Sequence, residues 1–465
     1  MMTDKVSRIT KYSMMTDQKI FNFHYLNYIV MFSLFVMINL SALIFPGICH
    51  GLSDTDLMFV GEELKVITIA SGREEGAWKA PAVADVITRD EIKQKGISTL
   101  AELLNFEPGF LISESEAGYN IYLRGISDSV LFLNEAVPTG SKLNKNYNRI
   151  NPYLSLESVK RIEIIRGPGS VLWGADAFAG IVNIVPLTGK DFQGVRTGMR
   201  AGNSVRGNEA YLHWGRENDD WNSFLSISGG NGRKDSRDNY NFTNFWGDED
   251  MVLPVPSESR YGDGSLKNPT FFEASGNADF GELFRVSTNL SFYSKPYTRS
   301  DEPNDNLVWK EENEAFSGFI KMEGSKKYNI TSGVRWTTYF SWFDTQTQIV
   351  DLTLENHDRV VFGEIVHEKS ILNGDGLFTT GASIRQEKVE DLPVWDSYYP
   401  DFFTDDNVSF VPWPQLYDYS ITTLSLFGQY QQSIGSVDIW AGIRGDDHEH
   451  SEGNVSYNTG ISWSP

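Results

Sequence analysis

The sequence has very little cysteine and few basic residues. Its single cysteine, Cys49, excludes a disulfide within the chain. Lys and Arg total 40 against 62 Asp and Glu, which gives a formal net charge of −22. A charge balance this acidic argues against nucleic-acid binding, because phosphate backbones need cationic surfaces. The mean hydropathy of −0.32 excludes a bundle of membrane helices for the bulk of the chain.

The N-terminus has the residue order of an export signal. Lys11 and Lys19 precede an apolar run over residues 28–45, and helix-breaking Pro46 and Gly47 follow it. This order is typical of a secretory signal peptide, which we expect over residues 1–51. The apolar run is also long enough for a membrane helix, so that alternative stays open.

Residues 52–75 are short and polar, with one run that favours extended structure. A strand near a flexible terminus can pair with the sheet edge of another protein. The alternative is an ordinary first strand of the following domain. The run consists of Glu63, Leu64, Lys65, Val66, Ile67, Thr68, Ile69 and Ala70.

Residues 76–188 mix short strands and helices and predict a small α/β domain. Thr88 can cap a helix with Glu91 at the capping-box position. A second helix begins near Ser98 and Thr99 and ends before Pro108-Gly109. Strands are predicted at 130–133, 159–166 and 181–185, where apolar and β-branched residues cluster.

Residues 189–465 alternate polar and apolar residues in strand after strand, with no intervening helix. Aromatic residues make up 13% of the chain and glycine is abundant at 41 residues, as a β-rich chain requires. The pattern predicts a transmembrane β-barrel, and a soluble β-sandwich is the alternative. Polar loops predicted at 234–273 and 391–420 favour the barrel, because sandwich loops are seldom that long.

Five motifs of the second segment, in order, resemble the plug domain of TonB-dependent outer-membrane receptors. Any one of them is weak, but the order and spacing of all five are specific. They are APAVADVITRDEI (80–92), LAELLNFEPGF (100–110), YLRG (122–125), IEIIRGPGSVLWG (162–174) and AGIVNI (179–184).

The resemblance implies a small α/β plug domain inside an antiparallel transmembrane β-barrel. Domain boundaries are then a signal peptide at 1–51, a periplasmic TonB-box segment at 52–75, the plug at 76–188 and the barrel from 189 to 465. Family barrels have about 22 strands. At roughly 25 residues per strand and loop, this chain has room for about 11, so we expect a C-terminally truncated barrel with about half of the strands.

One turn departs from the family pattern. At Asn134-Glu135-Ala136 the family usually has a tight Asp-Gly turn. Asn134 tolerates a left-handed backbone, but Glu135 is a poor substitute for glycine.

The resemblance further implies TonB-dependent import of a scarce nutrient across the outer membrane, with a ferric siderophore or another iron complex favoured. Alternatives are a cobalamin or haem receptor, or a non-transporting outer-membrane binding or adhesion protein. Implied partners are TonB with the inner-membrane proteins ExbB and ExbD, outer-membrane lipid, and a small iron-chelate or corrinoid ligand. No enzymatic activity, cofactor, metal site or nucleic-acid partner is expected.

Site residues follow from the same resemblance. Residues 63–70 occupy the position of the TonB box. Arg124 and Arg166 are expected to face barrel carboxylates and hold the plug, because a buried charge needs a partner. Gly125, Gly167 and Gly174 give backbone freedom, and Pro168 fixes a turn.

Ligand contacts are expected from plug loops and from the aromatic, acidic segment 391–420, because aromatic and polar surfaces suit a catecholate or corrin ligand. An aromatic membrane belt is the alternative for that segment. The candidates are Glu114, Glu116, Tyr119, Asp128, Asn144, Asn146, Trp395, Tyr398, Tyr399 and Trp413.

Overall fold

A computed structural model describes most of the chain that follows residue 82, together with two short strands before it. The described residues are 66–67, 75–76, 83–115, 118–127, 129–141, 153–167, 171–174, 177–202, 207–232, 269–281, 284–300, 308–324, 332–349, 352–372, 376–395 and 414–463. The predicted signal peptide lies outside them. Within these ranges, no helix is long and apolar enough to cross a membrane.

The α/β domain follows an antiparallel pair of short strands, β1 (Val66–Ile67) and β2 (Glu75–Gly76). Its elements are β3 (Val83–Thr88), α1 (Arg89–Lys95), α2 (Leu100–Asn105), β4 (Phe110–Ser115), β5 (Gly118–Leu123), β6 (Ile126–Ser127), β7 (Val130–Asn134), β8 (Val137–Pro138), a 3-10 helix (Leu156–Ser158), β9 (Val159–Arg166) and β10 (Gly180–Pro186).

Both helices of this domain begin at capping boxes. The Thr88 side chain accepts a hydrogen bond from the Glu91 amide, and the Glu91 carboxylate accepts one from the Thr88 amide, which confirms the predicted cap. Thr99 and Glu102 repeat the arrangement at α2. These caps satisfy amide groups that the first helical turn leaves without intrahelical partners.

Two sheets and the helices enclose the core of the α/β domain. The larger sheet has the order β3-β9-β10-β7-β8, and the smaller has the order β4-β5-β6. β10 is parallel to β7 and antiparallel to β9, whereas β3 is an outer strand antiparallel to β9. Leu103, Leu104, Ile162 and Ile164 are each 0% exposed between them. Burial of each such side chain contributes about 1.5–3 kcal/mol.

A 12-stranded antiparallel sheet follows, counted within the described residues, where about 11 strands were expected. Neighbours in sequence are neighbours in the sheet, and β11 and β22 lie at its two edges. The strands are β11 (Gly194–Arg200), β12 (Asn208–Glu217), β13 (Trp221–Asn231), β14 (Thr270–Phe280), β15 (Phe284–Ser300), β16 (Val308–Gly324), β17 (Ser332–Ile349), β18 (Leu352–Ile371), β19 (Gly376–Trp395), β20 (Pro414–Ile434), β21 (Val437–His448) and β22 (Ser451–Trp463).

The predicted loop at 391–420 is wrong at both ends. β19 continues to Trp395, β20 starts at Pro414, and these two residues pair across the ladder. Pairing of β19 with β20 stops after Val389 and resumes at Leu392 with a shifted register. A β-bulge at this point thus lets both strands continue into the predicted loop.

The two faces of the 12-stranded sheet differ in polarity. On β20, Leu424 and Leu426 point outward and are 51% and 70% exposed, whereas Ser425 and Gln429 are 4% and 5% exposed. A soluble sandwich buries its apolar face. Apolar side chains outside and polar ones inside are typical of a membrane barrel.

Candidate functional site

The α/β domain lies against the polar, inward face of the 12-stranded sheet. Both belong to one compact unit, Leu57–Pro465. The contact combines hydrogen bonds and ion pairs with apolar clusters to which both parts contribute, such as Val137 with Phe319 and Tyr339. It is the candidate functional site, because the resemblance found in the sequence implies a plug held inside a barrel.

Two cations of the sheet hold the turn between β7 and β8. Glu135 is 7% exposed, and its carboxylate accepts a hydrogen bond of 2.7 Å from Nη2 of Arg285. Its backbone carbonyl accepts one of 2.8 Å from Nζ of Lys321. A buried carboxylate is costly unless it is paired. Arg285 on β15 supplies that partner, so Glu135 has a role that the sequence comparison with an Asp-Gly turn did not indicate.

Two hairpin turns of the α/β domain have left-handed backbone at both turn positions. Glu135 and Ala136 have φ of 50° and 61°, and Arg124 and Gly125 have φ of 54° and 80°. Two-residue hairpin loops favour such turns because their twist matches that of the flanking strands. Glycine adopts this conformation freely, whereas Glu135, Ala136 and Arg124 adopt it under strain.

A second contact surrounds Gly140 and Ser141. The Gly140 amide donates to the Tyr339 hydroxyl at 2.9 Å, and the Gly140 carbonyl accepts from Arg385. The Ser141 hydroxyl donates to the carboxylate of Glu387 at 3.2 Å. This loop of the α/β domain is therefore held by β17 and β19.

A third contact surrounds Ser155, just before the 3-10 helix. Its amide donates to Glu273 and its hydroxyl to Glu209, each at 3.0 Å. These carboxylates are 5% and 3% exposed, so they depend on polar partners inside the protein. Beside them the Tyr153 ring stacks on Phe271 with centroids 5.1 Å apart.

A fourth contact holds the turn at residues 171–174. Nη1 of Arg444, on β21, donates to the carbonyls of Val171 and Leu172 at 3.4 Å. Nε of the same side chain pairs with Asp446 at 2.8 Å. Gly174 has a φ of 74°, which favours glycine, and a Cβ added there would lie 3.2 Å from Cζ and Nε of Arg444, so a larger residue would push the guanidinium aside.

The linker from β10 to β11 has its own charged lock. The Asp191 carboxylate accepts hydrogen bonds from the Thr188 amide at 2.9 Å and from Lys160 at 2.6 Å. Burial acts to raise the pKa of Asp191, but the bonds from Lys160 and Thr188 outweigh it and hold the pKa below its usual 3.8.

The two arginines expected to hold the plug differ in their surroundings. Arg166 pairs with Asp85 and, at 3.2 Å, with Glu107, both inside the α/β domain rather than in the sheet. Arg124 is exposed and, among the described side chains, has no carboxylate within ion-pair distance. Burial of Arg166 requires a carboxylate, but the nearest ones come from its own domain.

The remaining predicted residues are only partly covered. Val66 and Ile67 pair with Gly76 and Glu75, and the rest of the segment 63–70 lies outside the described residues. Gly167 follows β9, whereas Pro168 lies outside the described ranges. Of the ligand candidates, Glu114, Tyr119 and Trp395 lie in β4, β5 and β19, without described side chains. The others lie outside the described residues: Glu116, Asp128, Asn144, Asn146, Tyr398, Tyr399 and Trp413.

Several separate polar contacts hold the α/β domain on the sheet. Each hydrogen bond contributes about 0.5–1.5 kcal/mol net, so no single one of them accounts for the attachment. Within the described ranges, no group of His, Cys, Asp or Glu side chains is arranged to hold a metal ion.

Sequence reading missed Arg285, Lys321, Arg385 and Arg444, whose only signal is a cation on the polar face of a strand.

Comparison with known proteins agrees with this architecture. The family model described as TonB-dependent Receptor Plug Domain matches residues 77–181. The vitamin B12 transporter BtuB of Vibrio vulnificus is 28% identical over 146 residues, which are 30% of this chain and 23% of the transporter. The hemin receptor of Yersinia pestis is 31% identical over 121 residues, which are 25% of this chain and 17% of that receptor.

The fold extends the likeness beyond the α/β domain. The crystal structure of the siderophore receptor PirA from Acinetobacter baumannii superposes with a TM-score of 0.55 at 14% identity, over 82% of this chain and 59% of the receptor. The chain thus spans well under two thirds of the length of these relatives. Residues 77–181 are therefore a TonB-dependent receptor plug domain, and the 12-stranded sheet that follows has the fold of TonB-dependent receptor barrels.

Proposed function

We propose that this chain serves the TonB-dependent import of a scarce nutrient across the outer membrane. The observation that carries the proposal is the placement of the plug domain. It lies on the polar inner face of a sheet whose outer face is apolar, and contacts such as the partly buried ion pair of Glu135 with Arg285 hold it there. A barrel that is blocked by such a plug must bind its ligand outside and open a path on demand.

The work for opening has to arrive from elsewhere, because the outer membrane holds no ion gradient or nucleotide pool. TonB, driven by ExbB and ExbD, supplies it by gripping the segment at residues 63–70. β1 lies in this segment and is already an extended strand that pairs with β2. A partner strand can add to it or replace β2, since backbone hydrogen bonds make strand addition insensitive to sequence. A pull would then reach β3, the first strand of the plug sheet after the β1–β2 pair.

The favoured ligand is a ferric siderophore or another iron complex. The segment 391–420 supports this choice, because it is rich in aromatic and acidic residues that suit a catecholate complex. Among the relatives are receptors named for siderophores, haem and vitamin B12, so haem and cobalamin are the other candidates. Anchorage in the outer membrane and export through the N-terminal signal belong to the same proposal.

The proposal is tested by separating ligand binding from uptake. In a strain that lacks the gene, the receptor with its full-length barrel is supplied with residues 62–70 deleted, and growth is measured on single iron sources or on cobalamin. We expect the deletion to abolish growth on the receptor's own nutrient while cells still bind that nutrient at their surface.

A matched pair of substitutions refines the test. Val66→Pro removes a backbone donor and should block strand addition, whereas Val66→Thr keeps the β-propensity and should leave uptake intact. Uptake that persists after the deletion would rule the proposal out. Surface binding without uptake in the unaltered chain would favour the non-transporting binding protein.

A further inference from the structure

The β7–β8 turn of the plug domain has a strained backbone. Glu135 and Ala136 follow each other with φ of 50° and 61°. A single non-glycine residue with positive φ is uncommon, and two in succession, neither of them Asn or Asp, need an external constraint. The structure supplies constraints from two sides.

On the barrel side, the constraint is electrostatic. Arg285 binds the Glu135 carboxylate at 2.7 Å, and Lys321 binds the Glu135 carbonyl at 2.8 Å. Arg285 also lies 3.6 Å from Asp279, and Lys321 lies 3.4 Å from Glu323, so both cations have a carboxylate of their own strand or its neighbour as an alternative partner. The cations therefore remain paired even when the turn leaves them.

On the plug side, the constraint is a hydrogen-bonded chain. The Ala136 amide donates to Oδ1 of Asn183 at 2.9 Å, and Nδ2 of Asn183 donates to Glu163 at 3.1 Å. Glu163 in turn accepts from Nε of Arg161 at 2.9 Å. Asn183 and Glu163 are buried on adjacent strands, at 1% and 0% exposure.

This chain of contacts ends beside the strand that would receive a pull. Arg161 and Glu163 lie on β9, where they pair in register with Thr88 and Val86 of β3. β3 is the outer strand of its sheet, and it is the first strand of that sheet to follow the β1–β2 pair along the chain. Displacement of β3 would disturb β9, and with it the Asn183 contact that supports Ala136.

We propose that Glu135 and Ala136 form a strained latch: Arg285 and Lys321 hold this turn in its left-handed backbone, and displacement of β3 and β9 releases it through Asn183. The latch rests on the proposed function in one respect: a pull on the segment at residues 63–70 is named as the cause of the displacement of β3 and β9. Once released, the turn relaxes and does not readily return to the left-handed backbone. The strain held in the turn therefore favours separation of the plug from β15 and β16.

The test measures hydrogen exchange of the Glu135 and Ala136 amides in the full chain, reconstituted in lipid, with no ligand and no partner. Arg285→Gln should lower the protection of these amides about tenfold and leave those of Ile164 and Val182 unchanged. Lys321→Met is the second variant, should Arg285→Gln fail to assemble, and the same result is expected.

Ala136→Gly separates strain from charge, because glycine adopts the left-handed backbone freely and leaves the Glu135 carboxylate in place. Added to Arg285→Gln, it should restore protection to within about threefold of the unaltered chain. Asn183→Ala and Arg285→Gln are also combined in one variant. Its loss of protection should differ by about fivefold or more from the product of the two single losses, because the two contacts are coupled.

Unchanged protection in Arg285→Gln and Lys321→Met, or no rescue by Ala136→Gly, would overturn the latch. Effects of Asn183→Ala and Arg285→Gln that simply multiply would overturn its link to β9. None of these readouts involves uptake, so a failed latch leaves nutrient import standing, and failed import leaves the latch to be judged by exchange alone.

Discussion

The guanidinium of Arg444 lies directly over Gly174, with Cζ and Nε each 3.2 Å from the position that a Cβ on Gly174 would occupy. One residue belongs to β21 and the other to the plug domain. The absence of a side chain at Gly174 thus lets a barrel cation reach the carbonyls of Val171 and Leu172. The contact joins parts of the chain about 270 residues apart.

Gly174→Ala should loosen this contact more than its backbone strain alone would do. Gly125 is the matched control, because it also has a positive φ, 80° against 74°, but nothing lies within 4 Å of its added Cβ. Both changes should cost about 1–2 kcal/mol of strain. Gly174→Ala should cost more, and trypsin should cleave the plug domain at a lower urea concentration. Equal midpoints for the two variants would contradict the contact.

Ser155→Ala should weaken the contact of the plug with β12 and leave the bond from the residue 155 amide to Glu273 on β14 in place. It removes the hydroxyl bonded to Glu209 and leaves that buried carboxylate with one partner fewer, a loss of about 1–3 kcal/mol. Ser158→Ala is the control, since the Ser158 hydroxyl bonds only inside the plug domain in the contacts described, to the Ser155 carbonyl. The urea concentration at which trypsin cleaves the plug should fall further for Ser155→Ala, and the reverse order would count against this account.

Arg166→Gln should destabilise the plug domain itself rather than its contact with the barrel. It removes a partner of Asp85 and one of two partners of Glu107, which also pairs with Lys95. Breaking a buried ion pair costs about 3–5 kcal/mol, and the cost is lower here because Asp85 is half exposed and Glu107 keeps Lys95. Arg124→Gln, at an exposed arginine, should change stability by less than about 0.5 kcal/mol. Hydrogen exchange of β3 and β9 is the measurement. Faster exchange confined to barrel strands would show that Arg166 acts across the contact after all.

Acid should weaken the linker lock at Asp191. Its folded pKa lies below 3.8, so its contribution to stability is present above pH 3.8 and is lost as the pH falls through the folded value. Asp191→Asn should therefore lower the thermal midpoint at neutral pH and remove part of the acid dependence. A variant whose midpoint falls with acid as steeply as that of the unaltered chain would contradict the lock.

Much of the fold could be predicted from local patterns. The capping box at Thr88 and the strand at 159–166 follow from neighbouring residues, and the structure has both. Alternation in the third segment gave the two faces of each strand, because the strand period of two is visible in any short window.

The plug contacts could not be predicted in the same way. Glu135 and Arg285 are 150 residues apart, and their pairing depends on how the whole domain lies on the sheet. Arg166 shows the same limit, since burial demands a carboxylate but does not say which domain provides it. The resemblance to the plug family predicted that arginines of the plug would pair with carboxylates of the barrel. In the structure, Arg285, Arg385 and Arg444 of the barrel instead donate to carboxylate or carbonyl oxygens of the plug.

In the proposed function, the plug domain must move relative to the barrel for uptake. A Cβ on Gly442 would overlap Cγ2 of Val171, so cysteines at these two positions place their Cβ atoms within the ~3.5–4.5 Å that a disulfide needs. With Cys49 replaced by serine, Val171→Cys and Gly442→Cys give a plug that oxidation locks to β21. We expect oxidised cells to bind the nutrient without importing it, and to import it again after reduction. Import at the full rate by the oxidised, cross-linked receptor would contradict the account.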